Sequence, residues 1–367
     1  MKNKQIFSGV KAIEFNANFV GEGCVNFDGK EQGWFLKRND LLDSKVFDNC
    51  KFSKKNFRIE DGKMKFHHKV SADCLRHEMW RDSMAFMNPN IMNNSDMLYA
   101  ALAHPDTILR GTLLCNAVST LKRKSCVTIT DAEEVGEWHD KVSLDFHSRS
   151  GKKETADKKA LEEGDATKDT SVYSEENVGK INYEAKCIID VCEMPFLSAD
   201  NIYDRQMIDV CGGPCEKYFL QMLKMNFADC NLDPQFGYYC LSTAITGDMY
   251  AERGILLNDE CVDFLIKRAI RNVLNISRTT AKAYLKAVKN VTLLIHTDNG
   301  IETVDIDEND LDDIQFIPFH AYKEADDEKV ENTRKAIEEE KERVANAKKE
   351  KKGKKSGKKQ DAEPDAE

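Results

Sequence analysis

Two periods organise the order of apolar and polar residues along this chain. Ile13, Phe15, Ala17 and Phe19 alternate with Glu14, Asn16 and Asn18, and Ile181, Tyr183, Ala185, Cys187, Ile189 and Val191 repeat the pattern. A period of two belongs to a half-buried strand. Further on, VTLLIHT (291–297) and IETVDI (301–306) flank Asp298-Asn299-Gly300, where Asn-Gly predicts a tight hairpin with positive φ angles. The helical period governs the segments between. Ser71 is placed to cap SADCLRHEMWRDSMAFM, with Leu75, Met79 and Phe86 on one face. Asn258 caps a second helix through Val262, Leu265, Ile266, Ala269, Ile270 and Val273, and Ser277 is expected to start a third with Ala281, Leu285 and Val288 inward. Strands, inserted helices, a helical pair and a closing hairpin predict an α+β fold in which helices layer on an antiparallel sheet.

Composition adds a boundary and a compartment. The 367 residues hold 54 Lys and Arg against 64 Asp and Glu, a net charge of -10, with 41% hydrophobic residues. That composition is globular, not collagen-like, membrane-spanning or wholly disordered. No apolar leader follows Met1, so the chain is expected in the cytoplasm, where its 12 cysteines stay reduced. No CxxC occurs. The nearest approaches to ligand spacing are Cys211 with Cys215, and His68, Cys74 and His77; neither supplies the second pair that zinc needs, so no metal and no cofactor is expected. Walker, GxGxxG, GxSxG and HExxH motifs are lacking as well, which removes the usual starting points for nucleotide, acyl-transfer and zincin chemistry. Asp28 and Asp40 lie in the loop-like segment GCVNFDGKEQGWFLKRND and are read as turn residues, Asp28 standing directly before Gly29.

Charge is sorted by sign along the chain. Lys267 to Lys289 holds seven basic residues and no acid, Ile108 to Thr130 four and none, and Lys51 to Asp82 nine against five. Asn290 to Ile317 carries eight acids and no Lys or Arg. A merely solvated surface needs no such segregation. On the expected third helix, Arg278, Lys282, Lys286 and Lys289 form a cationic stripe beginning in the first turn, where free N–H groups favour an anion. On the first helix His77 and Arg81 share a face and Arg76 reaches Trp80 at i+4. Two stretches are of low complexity and have no aromatic residue. Ser148 to Thr170 has six basic and six acidic residues and reads as the mobile tip of a projection. Lys341 to Lys359, with ten basic and two acidic residues, reads as a helix fraying into disorder.

GVKAIEF, GEGCVNFDG, VSADCLRHEMWRDSM, ILRGTLL followed by LKRKS, GILLNDECVDFLIKRAI and LNISRTTAKAYL occur in an order that resembles the backbone subunit, of the RAMP superfamily, of type I CRISPR Cascade. The closest branch is the minimal or variant type I-F one. The resemblance runs from Gly9 to Val288 with gaps; the 148–170 insertion and the lysine-rich tail stand outside it. It implies a modified RRM or ferredoxin-like palm with a helical finger insertion and a β-hairpin thumb. In these terms residues 1–110 are the first part of the palm with the fingers, 111–190 the thumb, 191–322 the rest of the palm with the helical pair and hairpin, and 323–367 a charged tail. It further implies a non-catalytic protein. Copies would stack into a helical filament along crRNA, beside an end-capping subunit and a crRNA-processing endonuclease, and target DNA would pair with the guide. No membrane partner is expected.

Binding any guide requires contacts to phosphate and sugar, which position RNA without reading bases. The candidates are Lys69, Ser71, Arg76, His77, Arg81, Arg110, Lys122, Arg123, Lys124, Arg278 and Lys282, with Phe27 and Trp80 as stacking groups. Two other functions remain open at the level of sequence. One is a type III-like backbone subunit cleaving RNA through Asp28 or Asp40. The other is a stand-alone single-stranded RNA binder, although an RNP pattern of exposed aromatics is missing.

Overall fold

The computed structural model describes residues 4–28, 50–60, 63–81, 95–115, 120–136, 142–151, 169–200, 203–208, 214–242, 250–339 and 342–343. The chain forms two compact units. One comprises Met1–Ala85, Val127–Asp190 and Leu265–Phe316; the other comprises Phe86–Cys126, Val191–Phe264 and Ile317–Glu367.

The first unit is built on the two strands with the clearest alternation. Ala12–Glu22 and Ile181–Asp190 pair antiparallel from Ile181 opposite Gly21 to Asp190 opposite Ala12. Ile13, Phe15, Ala17 and Phe19 lie on the buried side with Ile181, Tyr183, Ala185, Cys187 and Ile189, all at most 5% exposed. Removing each large side chain from water contributes roughly 1.5–3 kcal/mol, which holds the register: a slip of one residue would turn the whole set outward. Tyr284–Ala287 joins the free side of Ala12–Glu22, while Val127–Ile129 and Ala132–Glu134 join the free side of Ile181–Asp190, all antiparallel. Among the elements between these strands, the helices Ala72–Met79 and Asp259–Leu274, the latter shared by the two units, complete a strand, helix, strand, strand, helix, strand succession into which further strands and helices are inserted, and the sheet order of the four strands is fourth, first, third, second. Ser277–Thr279, Lys63–Val70 and Lys55–Glu60 extend the sheet at its two ends.

The hairpin of Asn290–Thr297 and Gly300–Asp307 forms as the sequence predicts, with Thr297 opposite Gly300. Its positive φ, 129°, falls on Gly300 alone of the Asn-Gly pair, so the expected turn type is corrected. Thr297 Oγ1 accepts from Asn299 N at 3.2 Å and donates to Gly300 O at 3.1 Å, closing the turn from within. A larger correction concerns Ser277. The expected third helix is a short strand hairpin, Ser277–Thr279 against Tyr284–Ala287. Ala281 is exposed, and Ala283 and Leu285 are the buried positions.

A long hairpin, Val142–Gly151 with Asp169–Val178, carries the charged insertion, whose residues 152–168 lie outside the described ones. It pairs with Cys50–Ser53 in parallel, where the sequence suggested antiparallel pairing only.

The second unit has an antiparallel sheet in the order Phe196–Ser198, Glu252–Leu256, Gly237–Leu241, Tyr322–Glu324. The helix Ser95–Leu102 packs on Pro214–Asn226, and Tyr99 meets Phe219 edge-on at 6.3 Å. Arg205 fastens this sheet: its guanidinium donates to both Glu252 oxygens, at 3.0 and 2.5 Å, and lies 5.7 Å from the Phe196 ring and 5.8 Å from that of Tyr322. Burial pushes the Tyr322 hydroxyl up to about 12, so it stays a neutral partner for Arg205 at all working pH values. Among the described residues no helix is long and apolar enough to cross a membrane.

Candidate nucleic-acid interface

In the first unit the candidates gather around the helix Ala72–Met79. Ser71 caps it, accepting from Cys74 N at 3.4 Å and from Asn26 Nδ2 at 3.0 Å. Asp131, from beyond the helix, completes the start: its carboxylate accepts from Ala72 N at 2.8 Å and from Lys69 Nζ at 2.9 Å. Burial opposes ionisation of Asp131, yet the amide and the ammonium outweigh it and hold the carboxyl below its usual range. Lys69 is therefore an ion-paired residue at the root of the helix. Arg76 turns inward and donates to Val127 O at 2.8 Å, tying helix to strand. His77 and Arg81 are exposed, as their shared face predicts.

Arg278 comes to this helix from the strand hairpin. Leu285, its cross-strand partner, is fully buried, which places the Arg278 side chain on the helix side of the sheet. There it donates to Glu78 Oε1 at 3.3 Å and to Cys74 Sγ at 3.2 Å. Glu78 also faces Arg81 at 3.6 Å, so one nearly buried carboxylate holds two cations. The expected stripe of Arg278, Lys282, Lys286 and Lys289 is thereby corrected. Strand geometry sends Arg278 to one side and Lys286 to the other, Lys282 stands exposed in the turn, and Lys289 binds Glu308 at 2.9 Å.

Trp80 is 1% exposed and ends the helix as its C-cap, so it is a core residue and no base can stack on it. Phe27 pairs through its backbone with Ser53; its side chain, with that of Asp28 and the whole of Asp40, lies outside the described residues. The outward positions of the two central strands are Glu14, Asn16, Asn18, Val20 and Glu22, and Asn182, Glu184, Lys186, Ile188 and Asp190. No aromatic ring is among them.

In the second unit the run Lys122-Arg123-Lys124 divides. Lys122 pairs with Asp204 at 2.6 Å and Lys124 is exposed. Arg123 is a clamp: it donates to the carbonyls of Ile108 (2.9 Å), Phe196 (2.8 Å), Glu193 (3.0 Å) and Met194 (3.3 Å). Arg110 ends the helix Pro105–Arg110, whose C-cap Gly111 has φ 76°. A Cβ there would lie 2.5 Å from Arg123 O, so glycine is needed for both reasons.

Asp131, Glu78 and Asn26 are the site residues that sequence reasoning missed. Nothing local marks them, because each acts on a residue brought near only by the fold. Of the ligand candidates, His68 Nδ1 meets Ser53 Oγ at 2.8 Å and Cys74 faces Arg278, while Cys211 lies outside the described residues. Among the described residues no three His, Cys, Asp or Glu side chains converge as a metal would need.

An antiparallel sheet flanked by helices, with cations grouped on one helix and a long hairpin, is here the fold of a CRISPR-associated protein of a type I system. The chain belongs to the Type I-Fv CRISPR-associated protein Cas7fv-like family, which it matches over residues 9–326. This bears out the resemblance carried by the ordered segments, to a type I Cascade subunit on the variant I-F branch. Among solved structures, a "CRISPR RNA-guided surveillance complex, pre-nicking" is similar at TM-score 0.34 and 8% identity, covering 78% of this chain and 77% of its own. A "CRISPR RNA-guided surveillance complex" is similar at TM-score 0.31 and 9% identity, covering 79% and 72%. A "Type IV-B CRISPR Complex" follows at TM-score 0.27 and 8% identity, covering 65% and 88%. No curated protein matches the chain.

Proposed function

We propose that the protein is a multi-copy backbone subunit of a type I, I-F-like variant Cascade, coating the crRNA spacer without reading its sequence and presenting it for pairing with target DNA in antiviral defence. The family match over residues 9–326 carries this reading. The sheet order of fourth, first, third, second is that expected of a modified RRM palm and supports it. The Val142–Gly151 and Asp169–Val178 hairpin suits a thumb reaching along RNA to the next copy of a filament. Exposed His77, Arg81 and Lys282, with Lys69 and Arg278 behind them, suit phosphate contacts, which fix a guide in place whatever its bases. The protein holds RNA and performs no chemistry on it. An end-capping subunit and the endonuclease that processes crRNA complete the assembly. The outward central strands, bare of aromatic rings, weigh against a stand-alone RRM-type binder.

The test is the RNA content of the purified complex. Arg81→Glu with Lys282→Glu changes two exposed positions and is expected to lower crRNA retention about tenfold near physiological salt. Full retention would overturn this interface. A complex free of RNA in the unaltered protein would overturn the function.

A further inference from the structure

Two thiols that the candidate interface does not use lie against one another in the second unit. Cys230 closes the one-turn 3-10 helix Ala228–Cys230, and Cys261 stands in the first turn of the helix Asp259–Leu274. They are 5% and 0% exposed, and the Cys261 thiol donates a hydrogen bond to the Cys230 sulfur. Both are free cysteines. The chain around them keeps them together. Asn258, the cap of the helix, donates from Nδ2 to Cys230 O at 2.9 Å and accepts at Oδ1 from Cys261 N at 3.0 Å, so one amide side chain bonds both cysteine backbones. Asn231 Nδ2 donates to Glu260 Oε2 at 3.2 Å, and Phe227 meets Phe264 edge-on with ring centroids 5.6 Å apart.

The two thiols are chemically unequal. Cys230 belongs to a turn whose Ala228, Asp229 and Asn231 are exposed, so opening of that short turn uncovers its sulfur, whereas Cys261 lies behind it on the helix. The hydrogen bond between them favours the thiolate at Cys230 and disfavours it at Cys261. Burial above all pushes both thiols up; Glu260 adds to this at both, and Asp229 and Asp263 add to it at Cys230. Both are therefore protonated at neutral pH, and they react slowly there, because the thiolate is the nucleophile.

We propose that Cys230 and Cys261 form an oxidation site, at which hydrogen peroxide converts the dithiol into a disulfide that locks the turn Ala228–Cys230 to the start of the helix Asp259–Leu274. In the first step the Cys230 sulfur attacks the peroxide: an S–O bond forms, the O–O bond breaks, and the departing hydroxide with the proton lost from Cys230 makes one water. In the second the Cys261 sulfur attacks the Cys230 sulfenic acid: the S–S bond forms, the S–O bond breaks, and hydroxide leaves with the Cys261 proton as a second water. The two sulfurs together lose two electrons and the peroxide gains them. In a reducing compartment the pair is a dithiol, and sustained peroxide closes it. Neither step needs RNA or other copies of the chain, so the function inferred above stands or falls separately.

The test treats the reduced full-length chain with hydrogen peroxide, blocks the remaining thiols and maps the peptides by mass spectrometry. A cross-link between Cys230 and Cys261, two hydrogens lighter than the dithiol and reversed by dithiothreitol, is expected to form faster as pH rises from ~7 to ~9. The oxidised chain is expected to melt at least ~5 °C above the reduced one, because closing the loop between the two residues restrains the unfolded state. Cys261→Ala is expected to stop at a Cys230 sulfenic acid that dimedone traps, with no rise in melting temperature, and Cys230→Ala to leave Cys261 untrapped. Trapping of Cys261 in that variant would overturn the order of attack. In the unaltered chain, both thiols intact after prolonged treatment at the higher pH, or Cys230 recovered as sulfinic or sulfonic acid without the cross-link, would overturn the site.

Discussion

Arg123 stands in the run Lys122-Arg123-Lys124, which reads in sequence as a phosphate patch, yet its guanidinium is spent on four carbonyls. Guanidinium suits that task because its donors form a fixed planar fork. Replacing Arg123 with Met strands those carbonyls, and chemical denaturation is expected to show a loss of ~2–4 kcal/mol. RNA retained per folded complex should not change; a fall in retention at unchanged stability would return Arg123 to the interface. Asp131 acts in the opposite direction, as an acid that organises bases. Its folded carboxyl is held below the ordinary range, so the stability it contributes is fully present above the ordinary carboxylate pKa and is lost as pH falls through the lowered value. The difference in melting temperature between the wild type and Asp131→Asn should therefore be largest near neutrality and shrink in acid. A constant difference across that range would mean that the Asp131 charge contributes nothing.

The central strands, the closing hairpin and the starts of the helices at Ala72 and Asp259 are legible in the sequence, because each has its own periodicity and a turn or cap residue; the first helix stops at Met79, short of the expected stretch, and Phe86 lies outside the described residues. The segment after Ser277 is ambiguous. Ala281, Leu285 and Val288 fit a helical spacing, while Ala283, Leu285 and Ala287 fit a strand equally well, and so short a segment does not choose between them. The open edge of Ala12–Glu22 chooses: Tyr284–Ala287 satisfies its backbone groups and buries Leu285 at the same time. The same limit explains the site. Alternation shows which side of a strand is buried, but not that Arg278 lies beneath the sheet against Glu78, a residue 200 positions earlier in the chain. A pair of substitutions separates the two local structures. Ala281→Lys is expected to cost no more than ~0.5 kcal/mol, because this position is exposed in the hairpin and inward in a helix. Ala283→Lys, at a position 8% exposed, is expected to cost over ~2 kcal/mol. Thermal melts with the reverse ranking would restore the helix.

At the scale of the whole molecule, the net charge of -10 resolves into a body with engaged cations, a basic terminal run and an acidic segment from Asn290 to Ile317. Part of that acid is structural. Asp307 and Asp310 form a reciprocal capping box at the start of the turn Glu308–Asp313, and Asp312 pairs with Arg271 at 2.7 Å. Reversing those charges would damage the fold before it tested anything else. Glu302 and Asp305, on the exposed strand Gly300–Asp307, escape that objection, since the hydrogen bond of Asp305 runs only to Thr292 across the same hairpin among the described residues. In the proposed filament every copy offers one surface to the copy ahead and a different one to the copy behind, and opposite charge on the two fixes direction and register. Glu302→Lys with Asp305→Lys is therefore expected to leave the melting temperature of the isolated subunit within a few degrees of the wild type. Assembly on a guide should weaken, giving shorter particles by sedimentation and a defect that diminishes as salt screens the charges. Particles of full length at low salt would show that this acidic strand faces solvent in the assembly.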